Sequence, residues 1–188
     1  MKKQPEITDQ TRRNFVDAFL SLNAKKPIEK ITIREITAIT GNNRSTFYRY
    51  FPDVYGILEY IESEIIEDVG TIIRGKSDGT KVDKTIVDVF IKLYSRKEDK
   101  LRILLAPGNR YHFFDALKSK LIPVFSEAFH IEKPDARTDY TFELFFSGML
   151  SMIGRWIQHQ DEIELSELTK ITESFLSDWL LKELAANK

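Results

Sequence analysis

Apolar side chains recur with helical spacing along most of this 188-residue chain. In the segment TDQTRRNFVDAFLSLNAKKP the apolar positions fall at i, i+3, i+4 and i+7, namely Phe15, Ala18, Phe19 and Leu22. This pattern predicts a first amphipathic helix. Thr8 or Asp9 is placed to cap the start of that helix, and Pro27 follows its end.

A short second helix is predicted at roughly positions 33–40, with Thr32 as its N-cap. Its apolar residues Ile36 and Ile39 are expected to face inward. Gly41 then ends this helix, because glycine readily adopts the left-handed conformation that closes a helix C-terminus.

The rest of the chain also has helical spacing, and no segment alternates convincingly as a strand would. Asn43 is placed to cap a third helix of about eight residues, and Asp53 to cap a longer fourth helix. The polar segment GKSDGTK predicts a flexible turn into a second domain. The helices expected there span roughly 82–96, 98–106, 110–130 (with Pro123 kinking or splitting it), 136–160 and 166–186.

The fold predicted by this pattern is all-α. We expect an N-terminal three-helix helix-turn-helix domain at residues 1–54, a connecting helix at 53–74 and a second, larger helical domain at 75–188.

The charges are divided unevenly between the two ends of the chain. Residues 1–56 carry ten Lys or Arg and six Asp or Glu, whereas the remainder carries eighteen and twenty-three. The basic N-terminal segment indicates an anionic partner, although random scatter of surface charge would also produce such an imbalance. The chain lacks cysteine and an apolar run of membrane-spanning length, which leads us to expect a cytoplasmic protein.

The segment between the second and fourth helices predicts a surface that binds DNA. Phe47 and Phe51 are i, i+4 neighbours that should face the core. The other side chains of the third helix would then point outward or to its flanks, and its N-terminal end could enter the major groove of DNA. Together with the cap residues and the preceding helix, the candidate DNA-binding residues are Thr32, Arg34, Asn43, Arg44, Ser45, Thr46, Tyr48, Arg49 and Tyr50.

These residues can be assigned different parts in binding. Arg44 lies at the helix end that reaches base edges, and its guanidinium group matches two acceptors of guanine. Arg34 can reach a base or a phosphate, and the hydroxyl groups of Thr32 and Tyr48 can donate to phosphate oxygens. By composition alone, these arginines and tyrosines could equally be packing side chains of an ordinary surface helix.

Residues 31–58 resemble the DNA-binding domain of TetR-type transcriptional regulators. The residues that carry this resemblance are Thr32, Ile36-Thr37, Thr40-Gly41-Asn42-Asn43, Thr46-Phe47-Tyr48-Arg49-Tyr50-Phe51 and Leu58. Three positions depart from the family pattern. Asn42 replaces the usual valine of the turn, Thr37 replaces the usual alanine between the helices, and Val54 stands where a phosphate-binding lysine is common.

The resemblance implies that the C-terminal helices bind a small effector and pair with a second copy of the chain. Polar groups among aromatic residues make up the candidate effector pocket, namely Arg110, Tyr111, His112, Tyr140, Arg155 and Trp156. Large apolar residues of the last two helices make up the candidate dimer interface, namely Phe146, Leu150, Ile153, Phe175 and Trp179. Alternatively, those helices only complete their own core.

These observations favour a homodimeric repressor that binds palindromic DNA and is released by a small-molecule effector. The alternative is a DNA-binding coactivator or architectural factor whose C-terminal domain docks a protein partner. No nucleotide-binding loop, nucleophile elbow or zinc-protease motif is present, so we expect no enzymatic activity, no cofactor and no metal.

Overall fold

A computed structural model of the chain describes residues 5–74, 82–128 and 135–175. All regular structure in these residues is helical, which confirms the all-α prediction. The helices are α1 (Pro5–Asn23), α2 (Ile33–Thr40), α3 (Arg44–Tyr48), α4 (Val54–Arg74), α5 (Val82–Leu104), α6 (Arg110–Ala128), α7 (Ala136–Gln158) and α8 (Leu165–Phe175), with a 3₁₀ turn at Ile28–Lys30. Among the described residues, no helix is both long enough and apolar enough to cross a membrane.

The chain divides into two compact units, residues Met1–Glu64 and Ile65–Lys188. Helix α4 is continuous from one unit into the other. The predicted domain boundary at residue 54 and the connecting helix at 53–74 stay predictions.

The first unit has an aromatic core. Phe15 of α1 is fully buried, and its ring lies 5.3 Å from that of Phe47 in an edge-to-face arrangement. The ring of Phe51 lies 5.8 Å from Phe47 and 6.4 Å from Phe15. Such pairs add roughly 0.5–1.5 kcal/mol to the stabilisation from buried area. The short α3 is therefore held on α1 by the two phenylalanines that the sequence placed inward.

Two helices of the first unit differ in extent from the prediction. Helix α1 begins at Pro5 rather than near Thr8, because proline is well tolerated in the first turn of a helix. Helix α3 has five residues rather than about eight. It ends in a tighter turn, in which the Tyr50 amide donates to the Phe47 carbonyl at 2.9 Å, and Pro52 disfavours helical backbone at the residue before it.

The expectation that Ile39 faces inward is wrong. Its side chain is 55% exposed, whereas Ile36 and Thr37 are buried. Because successive helical residues are rotated by about 100°, a buried face centred between Ile36 and Thr37 turns Ile39 away from the core.

The second unit contains α5 to α8 and the last part of α4. Lys97 has non-helical backbone angles (φ −139°, ψ 34°) inside α5, close to the predicted junction between helices 82–96 and 98–106. Its ammonium group lies 2.5 Å from the Asp68 carboxylate of α4. Helix α6 is continuous through Pro123, so the proline does not split it. The predicted turn at 75–81 and the predicted helix after residue 175 lie outside the described residues.

Candidate nucleic-acid interface and apolar cavity

Helix α2 begins with a capping box. The Glu35 amide donates to the Thr32 hydroxyl at 3.3 Å, and the Thr32 amide donates to Glu35 Oε2 at 3.0 Å. The Thr32 hydroxyl also donates to the same carboxylate oxygen at 2.8 Å. These bonds satisfy donors that a helix start leaves free. Because the Thr32 hydroxyl is already engaged, it can donate to a DNA phosphate only by leaving Glu35.

The Glu35 carboxylate also accepts a hydrogen bond from Lys26 at 2.6 Å. This bond, followed by the bonds from Thr32, lowers the pKa of Glu35 from 4.5 to about 2. Glu35 thus remains charged at neutral pH and holds the loop before α2 against the start of that helix. The Thr32-x-x-Glu35 spacing is a recognisable sequence signal for this box, although the pairing of Glu35 with Lys26 is not.

Asn43 is the N-cap of α3, as predicted, and its side chain accepts hydrogen bonds from the first turn of that helix. Its Oδ1 accepts from the Thr46 amide at 2.8 Å, the Thr46 hydroxyl at 2.9 Å and the Ser45 hydroxyl at 2.7 Å. The Thr46 hydroxyl in turn accepts from Arg49 Nη2 at 3.1 Å. A chain of hydrogen bonds therefore runs from Arg49 through Thr46 to Asn43 and orients the Arg49 guanidinium group.

The outward side of this region carries unpaired cations. Arg34, Arg44, Tyr48 and Arg49 are all exposed. Within the described part of the chain, no hydrogen bond or ion pair engages the Arg34 or Arg44 guanidinium group. Two arginines without an internal anionic partner, beside an exposed tyrosine, form a surface that an anion can approach.

Tyr50 lies on the inner flank of α3. Its ring is 5.9 Å from Phe15, and the Arg12 guanidinium group lies 5.8 Å from its centroid. Arg12 lies over Tyr60 as well, at 5.3 Å. Tyr50 therefore contributes to packing and is only partly exposed. The contact with Arg12 was not anticipated, since no sequence spacing links residue 12 to residue 50.

The turn between α2 and α3 accommodates two of the departures from the family pattern. Gly41 has φ +66°, the left-handed conformation predicted for it. The Asn42 side chain donates to the Thr40 carbonyl at 3.1 Å and so closes the turn. The buried Thr37 hydroxyl donates to the Ile33 carbonyl at 2.9 Å, which satisfies it inside the helix contact. Val54, at the third departure, is buried rather than part of the exposed surface.

The second unit contains a partly open cavity of about 70 Å³ with an almost purely apolar lining. Helix α4 provides Ile65, Val69 and Ile73, and the other walls come from α5, α6, α7 and the segment after α5. A separate groove of about 210 Å³ lies between α7 and α8.

None of the six candidate pocket residues lines this cavity. Five of them are exposed, namely Arg110, Tyr111, His112, Tyr140 and Arg155. Trp156 is buried, but its indole N–H donates to the Ile163 carbonyl at 3.0 Å and its ring packs against Tyr94. The predicted pocket residues are polar groups among aromatics, whereas the cavity is lined by aliphatic, methionine and phenylalanine side chains from helices far apart in the sequence.

The candidate dimer residues fall into three groups. Phe146, Leu150 and Ile153 are buried and line the cavity, so they face their own unit. Phe175 is 42% exposed and lines the α7–α8 groove. Trp179 lies outside the described residues. A second copy that contacts α7 would therefore meet positions other than these three buried residues.

The chain is similar to known transcriptional regulators, in sequence over about half its length and in fold over most of it. No family model matches the chain. An uncharacterized HTH-type transcriptional regulator of Haemophilus influenzae is 27% identical over 106 residues, which is 52% of this chain and 50% of that protein. The chain thus spans about half the length of this curated relative.

Solved structures with the same fold cover nearly the whole chain. A TetR-family regulator from Syntrophomonas wolfei superposes with a TM-score of 0.73 at 15% identity, covering 93% of this chain and 96% of that one. The fatty acid degradation regulator FadR of Bacillus halodurans gives 0.66 at 17%, covering 94% and 96%. Thermus thermophilus FadR, a TetR-family repressor solved with lauroyl-CoA, gives 0.55 at 18%, covering 88% and 93%. The resemblance to TetR-type regulators is confirmed, and the chain has their fold.

Proposed function

We propose that the chain is a sequence-specific, non-enzymatic DNA-binding regulator of transcription of the TetR type. The observation that carries this proposal is the exposed cationic side of α2 and α3, which the aromatic core holds in place. Arg34 and Arg44 are exposed and have no internal partner in the described residues, and Tyr48 is 57% exposed beside them. A cytoplasmic location, where genomic DNA is accessible, is part of the proposal.

Each side chain of this surface has a part in the proposed complex. Arg44, in the first turn of α3, would read a base in the major groove, which is about 12 Å wide. Arg34 and Tyr48 would contact the backbone and fix the register. Arg49 would contact DNA from the orientation that Thr46 gives it.

The hydroxyl groups of Ser45 and Thr46 are internal donors to Asn43 in the free protein. Their part in binding, and that of Thr32, is therefore mainly to hold the two helix starts. Tyr50 would contribute packing and an edge contact.

We further propose that two copies bind a palindromic site. Helix α3 has only five residues, and one such helix offers too little surface for a specific site. The exposed side of α7 includes Leu144 and Gly148, and α8 adds the exposed Ile171 and Phe175. A Cβ atom at Gly148 would meet nothing within 4 Å, which leaves room for a helix of a second copy.

The regulator is proposed to be a repressor that a small apolar or amphipathic molecule releases from DNA. The apolar cavity of the second unit supports this effector, as does the lauroyl-CoA bound by the Thermus thermophilus relative. For such a molecule to release DNA, it must bind the two states of the protein with different affinity.

Selection of bound sequences from random duplex DNA tests the proposal, with light scattering of the same preparation. We expect a dimer and an enriched palindrome. Salt-sensitive binding without an enriched sequence would instead support the architectural or coactivator alternative, in which a protein partner covers the α7–α8 groove. Absence of DNA binding at any salt concentration would refute the proposal.

Two substitutions at the selected site separate base reading from backbone contact. Arg44→Ala should relax preference at one base pair per half-site by roughly 1–3 kcal/mol. Tyr48→Phe should weaken binding to all sequences by a similar factor. Arg13→Ala, at an exposed arginine of α1, is the control that removes a cation that belongs neither to α2 nor to α3. If Arg44→Ala and Arg13→Ala had the same effect, Arg44 would act only through its charge.

A further inference from the structure

The described lining of the cavity in the second unit offers a ligand almost no polar surface. Its lining consists of Ile, Leu, Val, Phe and Met side chains. An apolar cavity of this kind stays dry and takes up apolar molecules, as a roughly 150 Å³ engineered cavity does with benzene. At about 70 Å³, this cavity is smaller than that. A ligand the size of one aromatic ring exceeds this volume, so it is held entirely within the cavity only if a wall moves.

Met149 is the wall residue whose side chain can change conformation to enlarge the cavity. It lines the cavity and also lines the α7–α8 groove, and among the described residues around these two spaces it alone borders both. The methionine side chain is unbranched and flexible, so it adapts to irregular spaces at little cost. The neighbouring Phe146 and Ile153 are buried and border the cavity only. When the cavity is filled, the neighbouring space for the Met149 side chain is the groove of about 210 Å³, where it would meet the second copy proposed to pack on that surface.

We propose that the effector presents an uncharged hydrocarbon group to this cavity, and that Met149 moves into the α7–α8 groove to admit it. The hydrocarbon is either a free molecule or the chain of an amphiphile whose polar head stays outside. This proposal rests on the effector part of the proposed function. Because the groove includes Gly148 and Phe175 of the proposed dimer surface, occupancy of the cavity also changes that surface.

Toluene and phenol test the chemical class, since the two molecules differ by a methyl group against a hydroxyl. A hydroxyl group buried without a partner is strongly disfavoured. Isothermal titration of the full chain should give toluene at least tenfold tighter binding than phenol. Equal affinity for the two would overturn the assignment. Competition of sodium dodecanoate with toluene would identify an amphiphile chain as the occupant, and toluene binding without such competition would identify a free hydrocarbon.

Met149→Ala and Met152→Ala test the moving wall. Both methionines are half-buried on α7, but Met152 lines the groove only. Met149→Ala should raise toluene affinity at least fivefold, because it removes the barrier between the two spaces. Met152→Ala should change it less than twofold. Equal effects of the two substitutions would refute the part given to Met149.

Met149→Leu provides a second variant, in case the alanine variant folds poorly. It conserves the volume of the side chain and removes its flexibility, so toluene should bind several-fold more weakly than to the wild type. Unchanged affinity would contradict the proposal. All these titrations are made without DNA. A negative titration would therefore refute the cavity proposal without affecting the DNA-binding proposal, and absence of DNA binding would not change what the titrations show.

Discussion

Gly56, in the first turn of α4, should not tolerate even an alanine. A Cβ atom there would lie 2.6 Å from Cδ and 3.0 Å from Cγ of the Pro52 ring. Carbon atoms in favourable contact are about 3.5–4.0 Å apart, so the overlap approaches 1 Å. The proline ring is part of the backbone and cannot swing away. The Gly56 amide is also fixed, since it donates to the Asp53 carboxylate at 2.9 Å.

The magnitude follows from two opposing effects. Overpacking of this kind costs about 1–3 kcal/mol. Replacing glycine by alanine inside a helix increases the free energy of unfolding by about 0.5–1 kcal/mol. Gly56→Ala should therefore lower the free energy of unfolding by about 1 kcal/mol, within limits of roughly 0 and 2.5 kcal/mol set by these two ranges.

Gly70 of the same helix is the matched control. A Cβ atom there would lie 3.2 Å from the guanidinium group of Arg74, which can move aside. Gly70→Ala should stabilise the protein by about 0.5–1 kcal/mol. Urea unfolding followed by circular dichroism measures both changes. The cost of Gly56→Ala should largely disappear in a Pro52→Ala background. A stabilising effect of Gly56→Ala equal to that of Gly70→Ala would refute the reasoning.

Three further predictions concern the first unit. Because the pKa of Glu35 is lowered to about 2 in the folded state from 4.5, its contribution is present above pH 4.5 and is lost as the pH falls toward 2. Glu35→Gln should therefore lower the free energy of unfolding at pH 7, and its free energy of unfolding should fall less steeply than that of the wild type between pH 4.5 and 2. Urea unfolding at several pH values measures both effects. The same pH dependence of stability in the variant and the wild type would contradict the pairing of Glu35 with Lys26. Asn43→Ala should destabilise by about 1 kcal/mol and weaken DNA binding, whereas Asn43→Ser should keep the cap and both properties. Phe15→Ala should cost about 3–5 kcal/mol and abolish DNA binding, as seen in anisotropy, because α3 rests on that ring.

The helix boundaries around the turn could be predicted because their signals are local. Thr32, Gly41 and Asn43 each act within four residues of their own position, as an N-cap, a left-handed stop and a second N-cap. The inward direction of Phe47 and Phe51 also follows from spacing alone. The observed α3 is shorter than predicted because the Tyr50 amide bonds to the Phe47 carbonyl in a tight turn after Tyr48, and no spacing in the sequence signals this turn.

The cavity could not be predicted, because its walls come from helices far apart in the sequence. Helix α7 is apolar over a wide arc, and spacing does not say which part of that arc faces its own unit. Phe146 and Leu150 were therefore assigned to a dimer surface, yet they line the cavity. Polar residues such as Tyr111 are predicted from the sequence to contact the effector, yet Tyr111 is 82% exposed and does not line the cavity.

The most direct test of sequence-specific DNA recognition is the ratio of dissociation constants for the selected palindrome and a scrambled duplex. Fluorescence anisotropy at fixed salt concentration measures both constants, for the wild type and for Arg44→Ala. We predict a wild-type ratio of about 10³ or more. Arg44→Ala should reduce that ratio. Its affinity for the scrambled duplex should stay within about threefold of the wild type, because the substitution removes only one positive charge near the DNA phosphates. A wild-type ratio near one would contradict the account.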